Sequence, residues 1–244
     1  MKRNILLFVI SISTLFNCSS SDEKNTTSDS NVKDIDGNVY NTVVIGTQTW
    51  TKENLNVSKY RNGDPILRVD KQWDGLTTGA WCYYANQTSN GIVYGKLYNW
   101  YAINDPRGIA PEGYHIPSKD ECILLQDFLI TNGYNYDGTV TGNKIGKSLA
   151  SKNLWNEYPI LGAVGNDLSS NNSSNFNGLP GGLRSYDSDV DFNAIGRGAY
   201  WWTSTGSPTS NIAVSYGLSN GSKEFGSGGG SNKKNGFSIR CVKD

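Results

Sequence analysis

HIPSKDECILLQDFLITNG, residues 115–133, is the stretch of sequence that decides the fold most clearly. Ser118 stands three residues before Glu121, the spacing of a capping box, in which each side chain binds a free backbone amide at the start of a helix. Gly133 suits the left-handed position after the helix end. The apolar face between these two signals comprises Cys122, Leu125, Phe128 and Leu129. The stretch therefore predicts a helix that packs on a core.

Strand-like segments lie on both sides of this helix. DIDGNVYNTVVIGTQTW (34–50) predicts a hairpin that turns at Gly46-Thr47. Residues 94–105 predict a short buried helix that ends before Pro106. Further strands are predicted in GAWCYYAN (79–86), AYWWTST (199–205), NIAVSYGLS (211–219) and GFSIRCVKD (236–244).

Residues 1–17 have the pattern of a signal peptide. Lys2 and Arg3 form a positive region, and the apolar run Ile5–Phe16 that follows is too short to cross a bilayer. The run ends in LFNC, which resembles a relaxed bacterial lipobox, so we expect cleavage before Cys18 and lipidation of Cys18. The alternative is a cleaved secretory signal followed by an incidental cysteine.

The rest of the chain divides into a tether and one domain. Residues 18–34 are rich in Ser, Asn, Thr and Asp and predict a disordered polar tether after the lipidated Cys18. Residues 35–244 are long enough for one well-buried domain. We expect a lipoprotein anchored in the outer membrane or at the cell surface of a Gram-negative bacterium. The 22 basic residues balance 22 acidic ones without a dense basic block, which argues against a nucleic-acid partner.

Three cysteines remain in the mature chain: Cys82, Cys122 and Cys241. An odd count in an exported protein permits one disulfide and leaves one thiol. Cys122 lies on the apolar face of the predicted helix and is interpreted as a small core residue. The predicted pair is Cys82 with Cys241, both in strand-like runs, although the sequence alone does not exclude the other pairings.

Four motifs together resemble the Fibrobacter succinogenes major paralogous domain family. They are GTQTWTKENLN (46–56), YGKLYNWYAINDPRGIAPEGYHIPSKDE (94–121), FNGLPGGLRSYDSDVDFNAIGRGAYWWTST (176–205) and GFSIRCVKD (236–244). The resemblance covers residues 34–244 and implies an exported lipoprotein of Bacteroidetes or Fibrobacteres whose biochemical function is not established. The family is distantly similar to the C-type-lectin and formylglycine-generating-enzyme folds, which implies an irregular α+β domain with two main helices on small, twisted antiparallel sheets.

Catalytic chemistry finds little support in the residues. His115 is the only histidine, and we interpret it as a structural residue that hydrogen-bonds the backbone before the helix, because its polar neighbours belong to the helix cap. An oxidase of the formylglycine-generating type needs two thiolates together to hold Cu(I). Only Cys241 lies near the C-terminus. We therefore do not expect an enzyme.

Binding chemistry has two candidates. Asp187, Asp189 and Asp191 alternate, and hard oxygen ligands at this spacing suit Ca²⁺, although the sequence of an EF-hand loop is not met and a solvated turn is the alternative. No other cofactor is expected. The candidate ligand-contact aromatics are Trp73, Trp201 and Trp202. Adjacent strand residues point to opposite faces, so one ring of the tryptophan pair is expected at the surface, where it can stack on a sugar. Packing under a loop is the alternative for each ring.

These observations favour a lipid-anchored module of the cell envelope that binds a glycan or another envelope protein. The alternatives are a structural envelope lipoprotein without a small ligand, and an enzyme of the formylglycine-generating type.

Overall fold

The computed structural model describes residues 30–187, 192–207, 209–227 and 229–244. The expected signal peptide, the lipidation site Cys18 and the tether as far as residue 29 lie outside these ranges. Asp189 and Asp191 of the calcium candidate also lie outside them. None of the helices within the described ranges has the length and apolarity that crossing a bilayer requires.

The described residues form a mixed α+β fold in which sheets dominate. The strands are β1 (Asn31–Lys33), β2 (Val39–Ile45), β3 (Gln48–Thr51), β4 (Leu67–Arg68), β5 (Ala80–Cys82), β6 (Leu97–Tyr98), β7 (Tyr114–His115), β8 (Gly181–Arg184), β9 (Phe192–Ile195), β10 (Gly198–Gly206), β11 (Ile212–Ser219), β12 (Gly226–Ser227), β13 (Ser231–Asn232) and β14 (Val242–Lys243). The α-helices are α1 (Thr88–Tyr94), α2 (Trp100–Ile103), α3 (Lys119–Thr131) and α4 (Gly146–Leu149). Two 3-10 turns occupy Tyr84–Asn86 and Leu168–Ser170.

The strands form three sheets. The first has the order β1-β2-β3-β14-β7, the second β12-β11-β10-β8-β9 with β13 beside β11, and the third β4-β5-β6. Most pairs are antiparallel, but β8 pairs with β10 and β4 with β5 in parallel. The family resemblance implied two main helices on antiparallel sheets. Only one long helix occurs among the described residues, namely α3 with 13 residues. Helix α1 has seven residues, and α2 and α4 have four each.

Three local signals in the sequence produce the elements that they predict. Strands β2 and β3 form the expected hairpin, and Gly46 at its turn has φ +62°. Ser118 Oγ accepts from the Glu121 amide at 3.2 Å, and the Glu121 carboxylate accepts from the Ser118 amide at 2.7 Å, so the capping box is confirmed. Gly133 has φ +77°, as the helix end requires.

Strand β1 was not predicted. Its residues were assigned to the disordered tether, but in the structure they pair with β2. The helix predicted before Pro106 is shorter than expected, because Leu97–Tyr98 forms β6, and the last predicted strand is shortened to β14.

The C-terminal segment 236–243 joins the three sheets. Phe237 exchanges backbone hydrogen bonds with Tyr98 of the third sheet, at 2.8 and 3.0 Å. Ser238 exchanges them with strand β10 of the second sheet. Val242 in β14 then pairs with both β3 and β7 of the first. These few residues therefore fix the relative positions of sheets that are distant in sequence.

Buried side chains form three hydrophobic clusters. The first core includes Tyr98, Trp100, Trp202, Ile239 and Cys241. The second core includes Cys122, Leu125, Leu129, Trp155, Phe176 and Trp201. The small core consists of Trp73, Cys82 and Leu97. Strand β10 separates the first two cores, because its adjacent residues Trp201 and Trp202 face one core each.

Candidate functional site

A cleft of about 380 Å³ opens where α3 ends. Its lining residues are Asn132, Gly133, Tyr134, Asn135, Tyr136, Lys147, Ser148, Ser170 and Ser173. We call it the tyrosine cleft. Its chemistry combines two aromatic rings with carboxamides and hydroxyls, and it has no carboxylate among these residues. A concave surface of this kind offers both apolar contact and hydrogen bonds to a ligand.

One wall of the tyrosine cleft is held by Asn135, whose side chain is buried. Its amide nitrogen donates to the carbonyl oxygens of Thr139 at 2.8 Å and Thr141 at 3.1 Å. Its side-chain oxygen accepts from the backbone amide of Lys144 at 2.8 Å. These bonds close the loop after α3 on itself, so the wall is preorganised for binding.

The opposite wall is held by a buried lysine. Lys147 of α4 is 6% exposed, and its ammonium donates to the carbonyl oxygens of Asn166 and Asp167. Burial lowers the pKa of Lys147. The carbonyl acceptors replace the water that the ammonium loses. The ammonium and the buried side chain of Asn171, which donates to the carbonyl oxygens of Ser151 and Val164, together fix the polar loop 166–173.

The two tyrosine rings are half-buried and each rests on a fixed neighbour. The ring of Tyr134 packs beside Phe128, with centroids 6.5 Å apart. The ring of Tyr136 lies against Gly162, where a Cβ atom would approach it to 2.4 Å, and its hydroxyl accepts from Lys223 Nζ at 3.2 Å. Half-buried tyrosines of this kind present a rigid, amphipathic surface at low entropic cost.

Neither Tyr134 nor Tyr136 was predicted as a ligand contact. The available signal was the Tyr-Asn-Tyr run immediately after the helix-ending Gly133. The predicted ligand contacts were tryptophans, which are larger and rarer than tyrosines in this sequence.

The three tryptophans predicted to contact ligand are buried in the structure. Trp73, Trp201 and Trp202 are 2%, 4% and 0% exposed. The alternation of Trp201 and Trp202 across β10 is as predicted, but both faces of that sheet are covered by a core, so neither ring reaches the surface. Trp73 donates its indole N–H to the Val69 carbonyl at 2.7 Å, which fixes it under its loop. The alternative of packing under a loop is the correct one for Trp73.

The predicted disulfide between Cys82 and Cys241 is not formed. Both are free, buried thiols, as is Cys122, and the three occupy three different hydrophobic clusters. Burial raises the pKa of Cys82 and of Cys241 to about 12 each. Each thiol therefore behaves as a small apolar core residue. No group of three metal-ligating side chains occurs among the residues that the structure describes.

Asp187 is the one member of the calcium candidate that the structure describes. It is exposed, and its carboxylate accepts from Ser185 Oγ at 3.1 Å. The calcium site therefore stays a prediction.

His115 binds two carboxylates rather than the backbone. Its Nδ1 lies 2.7 Å from Asp244 Oδ1, and its Nε2 lies 2.6 Å from Glu121 Oε1. Partial burial opposes the charged imidazole, but the two carboxylates outweigh it and raise the pKa of His115. The same imidazole and the Ser118 amide lower the pKa of Glu121 against its own burial. The imidazolium therefore ties the last strand to the start of α3, which is a structural role.

We call the contacts of His115 with Glu121 and Asp244 the clamp. The clamp predicts a pH optimum of stability. A raised histidine pKa stabilises the fold below about pH 6.5, and this contribution is lost as the pH rises through the raised value. A lowered glutamate pKa stabilises it above about pH 4.5, and this contribution is lost as the pH falls through the lowered value. Because the imidazole is 40% exposed, the contribution of the clamp is about 0.5–1 kcal/mol.

Urea denaturation of the wild type and of His115→Gln between pH 4 and pH 9 measures this contribution. We expect the two stability curves to converge at high pH and to separate between pH 4.5 and 6.5. A variant whose stability keeps the wild-type dependence on pH would show that the clamp contributes nothing.

Comparison with known proteins identifies a family. Neither the curated proteins nor the solved structures give a match to this chain. The family described as the Fibrobacter succinogenes major domain matches residues 43–243, which include every element from β3 to β14. The chain therefore belongs to the Fibrobacter succinogenes major domain family.

Proposed function

We propose that this protein is a lipid-anchored module of the cell surface that binds a glycan in the tyrosine cleft. The observation that carries the proposal is the cleft itself, in which half-buried Tyr134 and Tyr136 stand among exposed Asn132, Ser170 and Ser173. An aromatic face stacks on the apolar face of a sugar ring, while hydroxyls and carboxamides bond its hydroxyl groups. Lipidation of Cys18 and a lectin-like fold belong to the same proposal.

The alternatives predict different surfaces. A structural lipoprotein without a small ligand needs no concave site with aromatic walls. An enzyme of the formylglycine-generating type needs two thiols side by side, whereas Cys82, Cys122 and Cys241 lie in separate clusters. A protein partner is the second candidate, and it is tested only if glycans fail to bind.

A glycan array tests the proposal. We expect the full chain, purified in mild detergent, to bind one class of glycan saturably. The array is run with Ca²⁺ and again with EDTA, and loss of binding in EDTA would assign the loop of Asp187, Asp189 and Asp191 to a metal.

A substitution that fills the cleft connects binding to the site. Ser173 is exposed at its rim, so Ser173→Trp is expected to fold normally and to weaken binding at least about tenfold, because the indole occupies the space of the ligand. The matched control is Ser89→Trp, at an exposed serine of α1 that does not line the cleft. Equal binding by both variants would place the glycan site elsewhere, and an empty array would contradict the proposal.

A further inference from the structure

A second cleft, of about 470 Å³, lies on the other side of the polar loop. Its lining residues are Glu157, Tyr158, Pro159, Gly165, Asn166, Asp167 and Leu168. We call it the acidic cleft, because it carries two carboxylates and no basic side chain among these residues. Glu157, Tyr158 and Asp167 are all exposed, so each is accessible to a ligand.

The two clefts share one wall. Asn166, Asp167 and Leu168 line the acidic cleft, and Ser170, two residues further along the chain, lines the tyrosine cleft. Lys147 lines the tyrosine cleft. Its ammonium donates hydrogen bonds to the carbonyl oxygens of Asn166 and Asp167, two residues that line the acidic cleft. A short polar segment of the chain therefore contributes to both clefts.

A tyrosine ring in each cleft packs against a glycine. Tyr136 of the tyrosine cleft lies against Gly162. The backbone amide of Tyr158 in the acidic cleft donates to Gly165 O at 2.9 Å, and the Tyr158 ring lies over Gly221. Tyr158 is 38% exposed, which leaves part of the ring free for stacking. The acidic cleft thus offers one ring to a sugar unit, whereas the tyrosine cleft offers two.

The charges of the two clefts differ. Ser169 donates to the Asp167 carboxylate at 2.6 Å, and this bond lowers the pKa of Asp167, so the group is ionised at neutral pH. Glu157 adds a second exposed carboxylate. The ammonium of Lys147 is directed at backbone carbonyls beneath the loop rather than into the acidic cleft. A cationic group gains charge-assisted hydrogen bonds here, and an anionic one is repelled.

We infer that the tyrosine cleft and the acidic cleft are two subsites for one oligosaccharide, and that the acidic cleft takes a sugar unit with a free amino group. This inference rests on the proposed glycan binding and adds to it the length and the charge of the ligand. The unit in the tyrosine cleft needs no charge, because that cleft carries no carboxylate among its lining residues.

The test uses the full chain and three tetrasaccharide probes in titration calorimetry: oligomers of glucosamine, of N-acetylglucosamine and of galacturonic acid. We expect the dissociation constants to rise in that order. Glu157→Gln combined with Asp167→Asn is expected to weaken glucosamine-tetramer binding about fivefold to tenfold and N-acetylglucosamine-tetramer binding less than about twofold. Asparagine tolerates the left-handed conformation of Asp167, which has φ +47°, so the variant should fold.

Two controls keep the outcomes distinct. Asp74→Asn combined with Glu112→Gln removes two exposed carboxylates that line neither cleft and is expected to leave all three affinities unchanged. Tyr158→Leu is expected to weaken tetramer binding and to spare binding of a disaccharide. Glucosamine and galacturonate tetramers of equal affinity, or no response to the double variant at the acidic cleft, would overturn the inference while glycan binding stands. Failure of every probe on the array and in calorimetry would overturn the proposed function as well.

Discussion

Replacement of Arg240 by methionine is expected to lower the free energy of unfolding by about 3–5 kcal/mol, because it leaves several buried acceptors without a donor. Arg240 is 1% exposed. Its guanidinium donates to Asn54 Oδ1 at 2.8 Å and to the carbonyl oxygens of Thr51 at 2.8 Å, Phe176 at 2.9 Å and Asn177 at 3.0 Å. These acceptors belong to two distant segments, residues 51–54 and 176–177, so one side chain holds both segments to the C-terminal segment.

Urea denaturation of Arg240→Met, followed by circular dichroism, measures this loss. Arg240→Lys is expected to be almost as unstable, because a single ammonium cannot reproduce the planar fork that reaches four acceptors. The matched control is Arg68→Met, which removes an exposed arginine paired with Asp70 at 3.0 Å and is expected to cost less than about 1 kcal/mol. Arg240 and Arg68 variants of equal stability would show that the buried network contributes nothing beyond a surface pair.

The elements that could be predicted from the sequence are those with a local cause. The capping box at Ser118 and the turn at Gly46 act within a few residues, and both appear where the sequence places them. The shared face of Phe237, Ile239 and Cys241 follows from the period of a strand, and all three lie in the first core.

The burial of polar groups could not be predicted in the same way. Lys96, Lys147, Lys233, Arg184 and Arg240 are each at most 6% exposed. A sequence-based interpretation places cations at the surface, because an unpaired buried charge is very costly. Here loop carbonyls, which every residue carries, accept from Lys96, Lys147 and Lys233, and aromatic rings lie beside Lys96 and Lys233. The sequence alone therefore does not show which backbone carbonyls accept from a buried cation.

The tyrosine cleft was missed for a related reason. Its walls come from residues 132–136, 147–148 and 170–173, which only the tertiary fold brings together. The predicted ligand contacts were tryptophans, which have larger rings than tyrosines, but β10 lies between two cores, so Trp201 and Trp202 are buried. The aromatic residues left at the surface are then half-buried tyrosines in loops, such as Tyr134 and Tyr136.

Trp202→Ala is expected to lower the free energy of unfolding by about 3–5 kcal/mol, the range for truncation of a large aromatic side chain in a core. Trp202 is fully buried, its ring lies 4.4 Å from that of Phe237, and its indole N–H donates to the Tyr98 carbonyl at 2.9 Å. It thus connects the second sheet to the segment that joins all three. Truncation creates a large cavity at this junction and removes one of the two donors to the Tyr98 carbonyl, which keeps the Phe237 amide at 3.0 Å.

The control for this variant is Ile92→Ala, because Ile92 is 82% exposed and its truncation is expected to change stability by less than about 0.5 kcal/mol. Thermal and urea denaturation of both variants give the comparison. A loss below about 1 kcal/mol in Trp202→Ala would mean that β10 is not enclosed between the first and second cores, and a tryptophan ring would again become a candidate for sugar stacking. The expected large loss instead makes Trp202 a structural residue, so that any fall in glycan binding by this variant reports unfolding rather than a lost contact, and only the rim substitution at Ser173 tests the site.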